Sequence, residues 1–206
     1  MTAFVNHDDK IIFIHTPKTG GTSVTDCLVG MDRCQEAALI FGMDIPNVEY
    51  WTDGAHATSE EIKNKLNTDN KNYNDYLSFS IMREPFSWLV SLFEYRYHPD
   101  ILTDIMPTPY SNFNLFIDDF YKINEQLQSY WFTVDGNIDV NLVLDFDNLD
   151  KELNKNFIIR RPLRRLNVNK AKKDHYTSQE TIDKARKLLE PDLVLYHKLF
   201  GKLRFK

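Results

Sequence analysis

The sequence predicts an α/β protein with a mainly parallel sheet, because short apolar runs alternate with stretches of helical pattern along the chain. Three β-branched and aromatic runs are strand candidates: "KIIFIH" at 10–15, "YLSFSIMR" at 76–83 and "NLVLDFDNL" at 141–149. The first ends at a Gly-rich turn and reads as a buried parallel strand. The length of 206 residues fits one domain.

Helices are predicted between and after these strands. The segment "GTSVTDCLVG" reads as a helix with Gly30 as its stop, and "SEEIKNKL" as a short helix with Ser59 as N-cap. Pro85 suits the first turn of a helix whose apolar stripe holds Trp88, Leu89, Leu92 and Phe93. Two further helical stretches are "FNLFIDDFYKINEQLQSYWF" at 113–132 and a pair over 178–200 whose second member starts at Pro191.

Composition and charge limit the classes of partner. The formal net charge is −5, so bulk attraction to nucleic acid or to an anionic membrane is not expected. Two cysteines, Cys27 and Cys34, lack the C-x-x-C spacing, which favours a reducing compartment and inert thiols. No signal peptide or membrane segment is visible, so the expectation is a soluble, cytoplasmic protein.

The stretch "TPKTGGTS" at 16–23 has the pattern of an anion-binding loop. A strand that runs through a Gly-rich turn into a helix points backbone N–H groups at an anion, and the helix dipole favours negative charge. In the ATP-binding motif the lysine follows the last glycine, whereas here Lys18 precedes the pair Gly20 and Gly21. The alternative is a strand–turn–helix that holds no ligand.

Two motifs together resemble a known family. "TPKTGGTS" resembles the 5′-phosphosulfate loop of sulfotransferases, which use 3′-phosphoadenosine 5′-phosphosulfate (PAPS) as donor. "MREPFSWLVSLFEY" at 82–95 resembles the second motif of that family, the 3′-phosphate site. The resemblance is closest to the carbohydrate-type branch, which includes heparan sulfate 2-O-sulfotransferases, and "DFDNL" at 145–149 and "DLVLYHKLF" at 192–200 look like that branch's C-terminal part.

The resemblance implies a three-layer α/β/α arrangement with a P-loop-like sulfotransferase fold, and it implies roles for individual residues. Lys18 would neutralise the leaving 5′-phosphate. The rest of the loop would surround the same group: Pro17, Thr19, Gly20, Gly21, Thr22 and Ser23. Arg83 and Ser91 would bind the 3′-phosphate, although an Arg–carboxylate pair is the alternative for Arg83. Trp88 departs from the family, whose members often carry a second arginine there, and Arg96 is a candidate replacement.

A general base is needed to deprotonate the acceptor hydroxyl. Histidine titrates near neutral pH, which makes His15, His56, His98 and His175 candidates. His56 in "GAHATSEEI" is preferred, because a histidine in similar context acts as base in the heparan sulfate 2-O-sulfotransferases. His15 has a structural role in this interpretation. Glu60 and Glu61 are the second choice, with helix capping as their alternative explanation.

Two segments are predicted to be loops near the ligands. Residues 98–112 hold three prolines and are assigned to the acceptor side. Residues 160–175 form a basic loop on the nucleotide side, in which Arg165 and Lys170 are predicted to bind the nucleotide. Its cations are Arg160, Arg161, Arg164, Arg165, Lys170, Lys172 and Lys173. A solvated basic loop is the alternative.

The sequence therefore predicts a single-domain, PAPS-dependent sulfotransferase over 1–206, with a carbohydrate or other small-molecule hydroxyl as acceptor. The product would be 3′-phosphoadenosine 5′-phosphate, and no metal, nucleic acid or membrane is expected to take part. The oligomeric state stays open. The alternatives are a P-loop-type nucleotide kinase and a non-catalytic nucleotide-binding relative. Six aromatic residues are candidates for stacking on the acceptor: Tyr50, Trp51, Tyr95, Tyr97, Tyr110 and Trp131.

Overall fold

The computed structural model describes residues 3–29, 48–50, 56–97, 110, 112–157, 162–163 and 176–202, and the structural statements below concern those residues. The chain divides into two compact units. The first unit is Met1–Met82 with Tyr130–Asn167, and the second is Arg83–Ser129 with Val168–Lys206. The single domain over 1–206 stays a prediction.

The first unit contains a five-stranded sheet in the order β3-β1-β2-β4-β7. Its strands are β1 (Ala3–Asn6), β2 (Ile11–Ile14), β3 (Val48–Tyr50), β4 (Leu77–Met82) and β7 (Leu142–Asp145). A separate two-stranded hairpin is formed by β5 (Thr133–Val134) and β6 (Asn137–Ile138). The hairpin turns at Asp135 and Gly136, which both have positive φ, as the Asp-Gly pair of a tight hairpin turn requires.

The prediction of a mainly parallel sheet is confirmed for the described strands. β2 pairs parallel with β4, and β4 pairs parallel with β7. β1 pairs antiparallel with both β2 and β3, so β1 alone among the five runs in the opposite direction. All four residues of β2 are buried, which explains its continuous apolar sequence. The three-layer arrangement and the P-loop-like fold stay predictions.

Seven α-helices occur in the described ranges, three of them in the first unit. These three are α1 (Gly21–Val29), α2 (Ser59–Thr68) and α5 (Leu149–Asn156). Apolar side chains of α1 and α5 share one core with the sheet, in which Phe13 stacks on Phe79 at a ring-centroid distance of 4.8 Å. Cys27 of α1 is fully buried there, and burial with the nearby Asp150 and Asp26 raises the pKa of its thiol to about 11. The prediction of a core position is confirmed for Cys27, and its chemical inertness stays a prediction.

The second unit is helical in its described part. Its helices are α3 (Pro85–Arg96), α4 (Phe113–Asp119), α6 (Gln179–Leu188) and α7 (Glu190–Phe200). The predicted apolar stripe of α3 is confirmed, because Trp88, Leu89, Leu92 and Phe93 are each at most 2% exposed in one core. The helix pair after Ser178 is also confirmed, with the Ser178 side chain accepting from the Thr181 N–H as an N-cap.

Two predictions about local structure were wrong, and one strand was not predicted. The cap of α2 is Thr58, not Ser59, and a reciprocal pair of bonds between Thr58 and Glu61 forms a capping box. The stretch 113–132 is not one helix: α4 ends at Asp119, and Asn124 adopts a positive φ of 58° that a continuing helix does not allow. The N-terminal segment, which was not assigned to a strand, supplies β1 at 3–6.

Several predicted features lie outside the described residues. Residues 98–109 and 111 of the acceptor-side loop are among them, as are 160–161 and 164–175 of the basic loop. The residues concerned include His98, Arg165, Lys170 and His175, together with Cys34 and Trp51. Among the helices that are described, none combines the length and the apolar character needed to cross a bilayer.

Candidate active site

Buried hydroxyl groups fix the turn that leads out of β2. Ser80 of β4 donates to the Ile14 carbonyl at 2.8 Å, so the 3.0 Å contact between Thr16 Oγ1 and Ser80 Oγ has Thr16 as donor. Thr19 Oγ1 donates to the Thr16 carbonyl at 2.7 Å. Thr16, Thr19 and Ser80 are all fully buried, so these bonds tie the base of the loop to the sheet.

The loop itself holds two residues in the left-handed region. Lys18 has φ of 62° and Gly20 has φ of 82°. Glycine adopts this conformation freely, but for a lysine it costs about 1–3 kcal/mol and is typical of functional positions. Lys18 and Gly20 are half-buried, whereas Pro17 before them and Thr19 between them are buried. The strained backbone therefore occurs at the predicted catalytic lysine.

The first residue of α1 is in close contact with His15. A methyl group on Gly21 would lie 2.0 Å from Nε2 of His15, so only glycine fits beside this imidazole. The His15 ring also stacks on Phe13 of β2, with 5.6 Å between ring centroids. His15 thus fills the space between the strand and the start of α1, which agrees with the structural role predicted for it.

His56 has one ring nitrogen fixed by the backbone. Its Nδ1 lies 2.8 Å from the carbonyl oxygen of His15. A carbonyl only accepts, so Nδ1 carries the proton and, in the neutral ring, Nε2 carries the lone pair. The rings of His56 and His15 meet edge to face at 4.7 Å. The structure therefore brings His56 to the β2–α1 loop and leaves its Nε2 as the basic nitrogen.

An aromatic wall continues from His56. The Trp131 ring lies 5.3 Å from the His56 ring, and the half-exposed Tyr130 ring lies 5.3 Å from Trp131. By contrast, Tyr97 is 3% exposed and donates its hydroxyl to Glu125 at 2.5 Å, so it is not an open stacking surface. Of the six aromatic candidates, Trp131 is the one whose described contacts place it beside the predicted base.

The second motif lies in the second unit. Arg83 is half-buried and directly precedes the α3 helix, whose N-cap Glu84 accepts from the N–H groups of Phe86 at 3.0 Å and Ser87 at 2.9 Å. Ser91 lies in the middle of α3 and is 4% exposed. The backbone of Arg83 is also bound by the side chain of Gln128, a residue that the sequence did not indicate.

The position that departs from the family has a packing role. Trp88 is 1% exposed, and its ring meets Phe120 edge to face in the core of the second unit. Arg96, the proposed replacement, donates to Glu125 at 2.6 Å, and Glu125 is 8% exposed. Its guanidinium is thus engaged in a mostly buried ion pair.

Of the remaining candidates, Thr19 and Glu61 have local partners. The Thr19 hydroxyl is used within the loop, so its backbone N–H is the group left for an anion. The Glu61 carboxylate accepts from the N–H of Thr58 at 2.7 Å, which supports the capping explanation. Thr22 is half-buried and Ser23 is 6% exposed in the first turn of α1. No metal-binding group of three or more His, Cys, Asp or Glu side chains occurs in the part of the chain that the structure describes.

These features define a class of protein: an α/β protein in which a buried strand leads through a Gly-containing loop into a helix, with a histidine fixed beside that loop. The family model described as "Sulfotransferase family" matches residues 1–198, and the chain therefore belongs to the sulfotransferase family. A comparison with curated proteins gave no match. Family membership implies transfer of a sulfuryl group from a sulfate donor to an acceptor molecule.

Gly21→Ala is expected to destabilise the fold through His15. Overpacking of this kind costs roughly 1–3 kcal/mol, and removal of the imidazole in His15→Ala makes room for the new methyl group. We therefore expect Gly21→Ala to cost far less in the His15→Ala background than in the native chain, as measured by urea unfolding. Gly136→Ala is the control, since it is strained only by its own backbone φ of 75° and meets nothing within 4 Å, so its cost should be the same in both backgrounds. An equal cost of Gly21→Ala in both backgrounds would contradict the contact.

Proposed function

We propose that this protein transfers a sulfuryl group from PAPS to the hydroxyl of a small molecule or carbohydrate. The observation that carries the proposal is the pairing, within one unit, of a left-handed Lys18 in the β2–α1 loop with a His56 whose Nε2 is basic. A cation at the loop and a base beside it are the two groups that displacement at sulfur requires. The match of residues 1–198 to the family supports the same reaction.

In the proposed reaction each bond change has a partner in the chain. The acceptor oxygen forms a bond to sulfur while its proton passes to Nε2 of His56. The bond between sulfur and the bridging oxygen breaks, and its electron pair goes to the 5′-phosphate. Lys18 neutralises this developing charge together with the N–H groups of residues 19–23, and such preorganised groups supply much of the rate enhancement. The pair His56 and Lys18 are the proposed catalytic residues.

Arg83 and Ser91 are proposed to bind the 3′-phosphate of the same nucleotide. A guanidinium matches two phosphate oxygens at once, and a hydroxyl adds a further donor. The N–H groups at the start of α3 are already bound by the Glu84 carboxylate, so the phosphate contact is assigned to the side chains of Arg83 and Ser91 alone. Arg165 and Lys170 remain proposed nucleotide ligands on the ground of charge alone.

A carbohydrate is the acceptor that we propose. The likeness of the C-terminal part to the carbohydrate-type branch supports it, and so does the aromatic wall formed by Trp131 and Tyr130 beside His56. Aromatic faces stack on the apolar side of a sugar ring. They also stack on phenols, so sugars, lipid alcohols and phenols belong in one acceptor assay.

The two alternatives differ in what they require of the loop. A nucleotide kinase needs the lysine that follows the glycines in the ATP motif, and Thr22 occupies the position after Gly21 here. A non-catalytic relative would keep the loop without needing a base, so the fixed tautomer of His56 would serve no purpose. Both observations favour the transferase.

Calorimetric titration separates the donor classes. We expect 3′-phosphoadenosine 5′-phosphate to bind more tightly than ATP, with or without Mg²⁺, because the chain offers separate groups for a 5′- and a 3′-phosphate. The same experiment in the presence of EDTA tests the expected independence from metal. Tight binding of ATP and weak binding of the bisphosphate would overturn the proposal in favour of a kinase.

Lys18→Ala is expected to lower turnover by about 10²–10³-fold, the loss seen when one charge-stabilising donor is removed. Lys18→Gly should lose as much activity while it gains stability, because glycine relieves the left-handed strain. Sulfate transfer and the urea midpoint measure the two effects. Unchanged turnover in either variant would remove Lys18 from the mechanism.

His56→Ala is expected to abolish most turnover while nucleotide affinity is retained, since the imidazole would act on the acceptor. His7→Ala is the matched control: His7 belongs to the same unit, but it lies in the turn before β2, where it contacts Tyr76 and Lys71. The turnover of the His7→Ala variant should equal that of the native protein. Turnover that survives His56→Ala would point to a different base, and Glu60 would be tested next.

A further inference from the structure

The amide side chain of Gln128 binds both backbone polar groups of Arg83, its N–H and its carbonyl oxygen. The Arg83 N–H donates to Gln128 Oε1 at 2.9 Å, and Gln128 Nε2 donates to the Arg83 carbonyl at 3.0 Å. These are the two bonds that a neighbouring strand would make to one residue. Gln128 is fully buried, and the two residues are 45 positions apart in the sequence.

Gln128 is in turn held by Asp192 of α7. The Gln128 N–H donates to Asp192 Oδ2 at 2.9 Å, and the Ser129 N–H donates to Oδ1 at 3.1 Å. Asp192 is fully buried, and this burial raises the pKa of its carboxyl group, while the bonds from Ser129 and Gln128 oppose the rise. Both carboxylate oxygens are therefore occupied in fixing one short backbone segment.

The bonds from Asp192 through Gln128 to Arg83 join polar groups that are buried or half-buried. A buried amide and a buried carboxylate are costly unless each polar atom finds a partner. Here the partners lead from α7 through Gln128 to a single residue, Arg83. Glu84 fixes the next residues by capping α3. The backbone of Arg83 is thus fixed by Gln128, and the residues that follow it are fixed by Glu84.

We propose that Gln128 and Asp192 are positioning residues that set the guanidinium of Arg83 for recognition of a ribose 3′-phosphate. The proposal rests on the function proposed above for Arg83. A bidentate contact to phosphate needs a fixed direction of approach, and a backbone that is free to rotate would misplace the long arginine side chain. Gln128 would therefore determine discrimination between nucleotides with and without the 3′-phosphate.

The test compares the affinity for 3′-phosphoadenosine 5′-phosphate with the affinity for adenosine 5′-phosphate, which lacks only the 3′-phosphate. We expect Gln128→Leu to weaken binding of the bisphosphate about tenfold or more and to leave adenosine 5′-phosphate unchanged. Gln128→Glu keeps the acceptor for the Arg83 N–H but loses the donor, so an intermediate ratio is expected. Asp192→Asn should shift the ratio in the same direction.

Further variants separate the possible failures. Thr181→Val removes a buried hydroxyl that donates to Asn114 at 2.7 Å in the same unit, and it should lower stability without changing the affinity ratio. In an Arg83→Ala background, Gln128→Leu should have no further effect on the ratio. If Arg83→Ala abolishes discrimination but folded Gln128→Leu and Gln128→Glu keep it, the positioning role is wrong. If the native protein shows no discrimination, the function proposed for Arg83 fails.

Discussion

The candidate active site depends on the contact between the His15 imidazole and the backbone of Gly21. The ring occupies the space in which any other residue would place its Cβ, and it rests on Phe13 of a fully buried strand. The carbonyl of the same residue determines the tautomer of His56. His15 therefore contacts the start of α1, the proposed base His56 and the sheet. Because protein interiors are close-packed, a shift of this ring would displace both.

The loop between β2 and α1 is held in shape by hydrogen bonds within the protein. Thr16, Thr19 and Ser80 satisfy each other's hydroxyl groups and nearby carbonyls inside the fold. These buried bonds offset the strain of the left-handed Lys18. A loop fixed in this way loses little conformational entropy on binding an anion, and its N–H groups need no reorganisation during the reaction. Under the proposed function, preorganisation of the loop would explain why a lysine occupies this strained position.

The sequence predicts those parts of the molecule that depend on neighbouring residues. The buried β2, the Gly-rich turn, α1 and the stripe of α3 follow from local patterns, whereas the roles of Lys18, His56 and Arg83 were expected from the resemblance to the sulfotransferase family. What could not be predicted depends on distant contacts. Nothing near Gln128 indicates that its amide binds Arg83, 45 positions away. The end of α4 at Asp119 depends on the left-handed Asn124 and on the buried Glu125, which binds Arg96 and Tyr97.

The net charge of −5 would make the local arrangement of cations decisive for the proposed nucleotide donor, which has two charged ends. At physiological ionic strength charges farther apart than about 8 Å are largely screened, so the overall acidic charge repels the ligand only weakly. Under the proposed function, attraction would then come from groups in direct contact with the ligand, for which Lys18 and Arg83 are the proposed candidates among the described residues. In such a protein the orientation of each cationic side chain would matter more than the number of positive charges. If Arg83 binds a phosphate as proposed, the buried hydrogen bonds that fix its backbone would contribute more to binding than additional surface lysines.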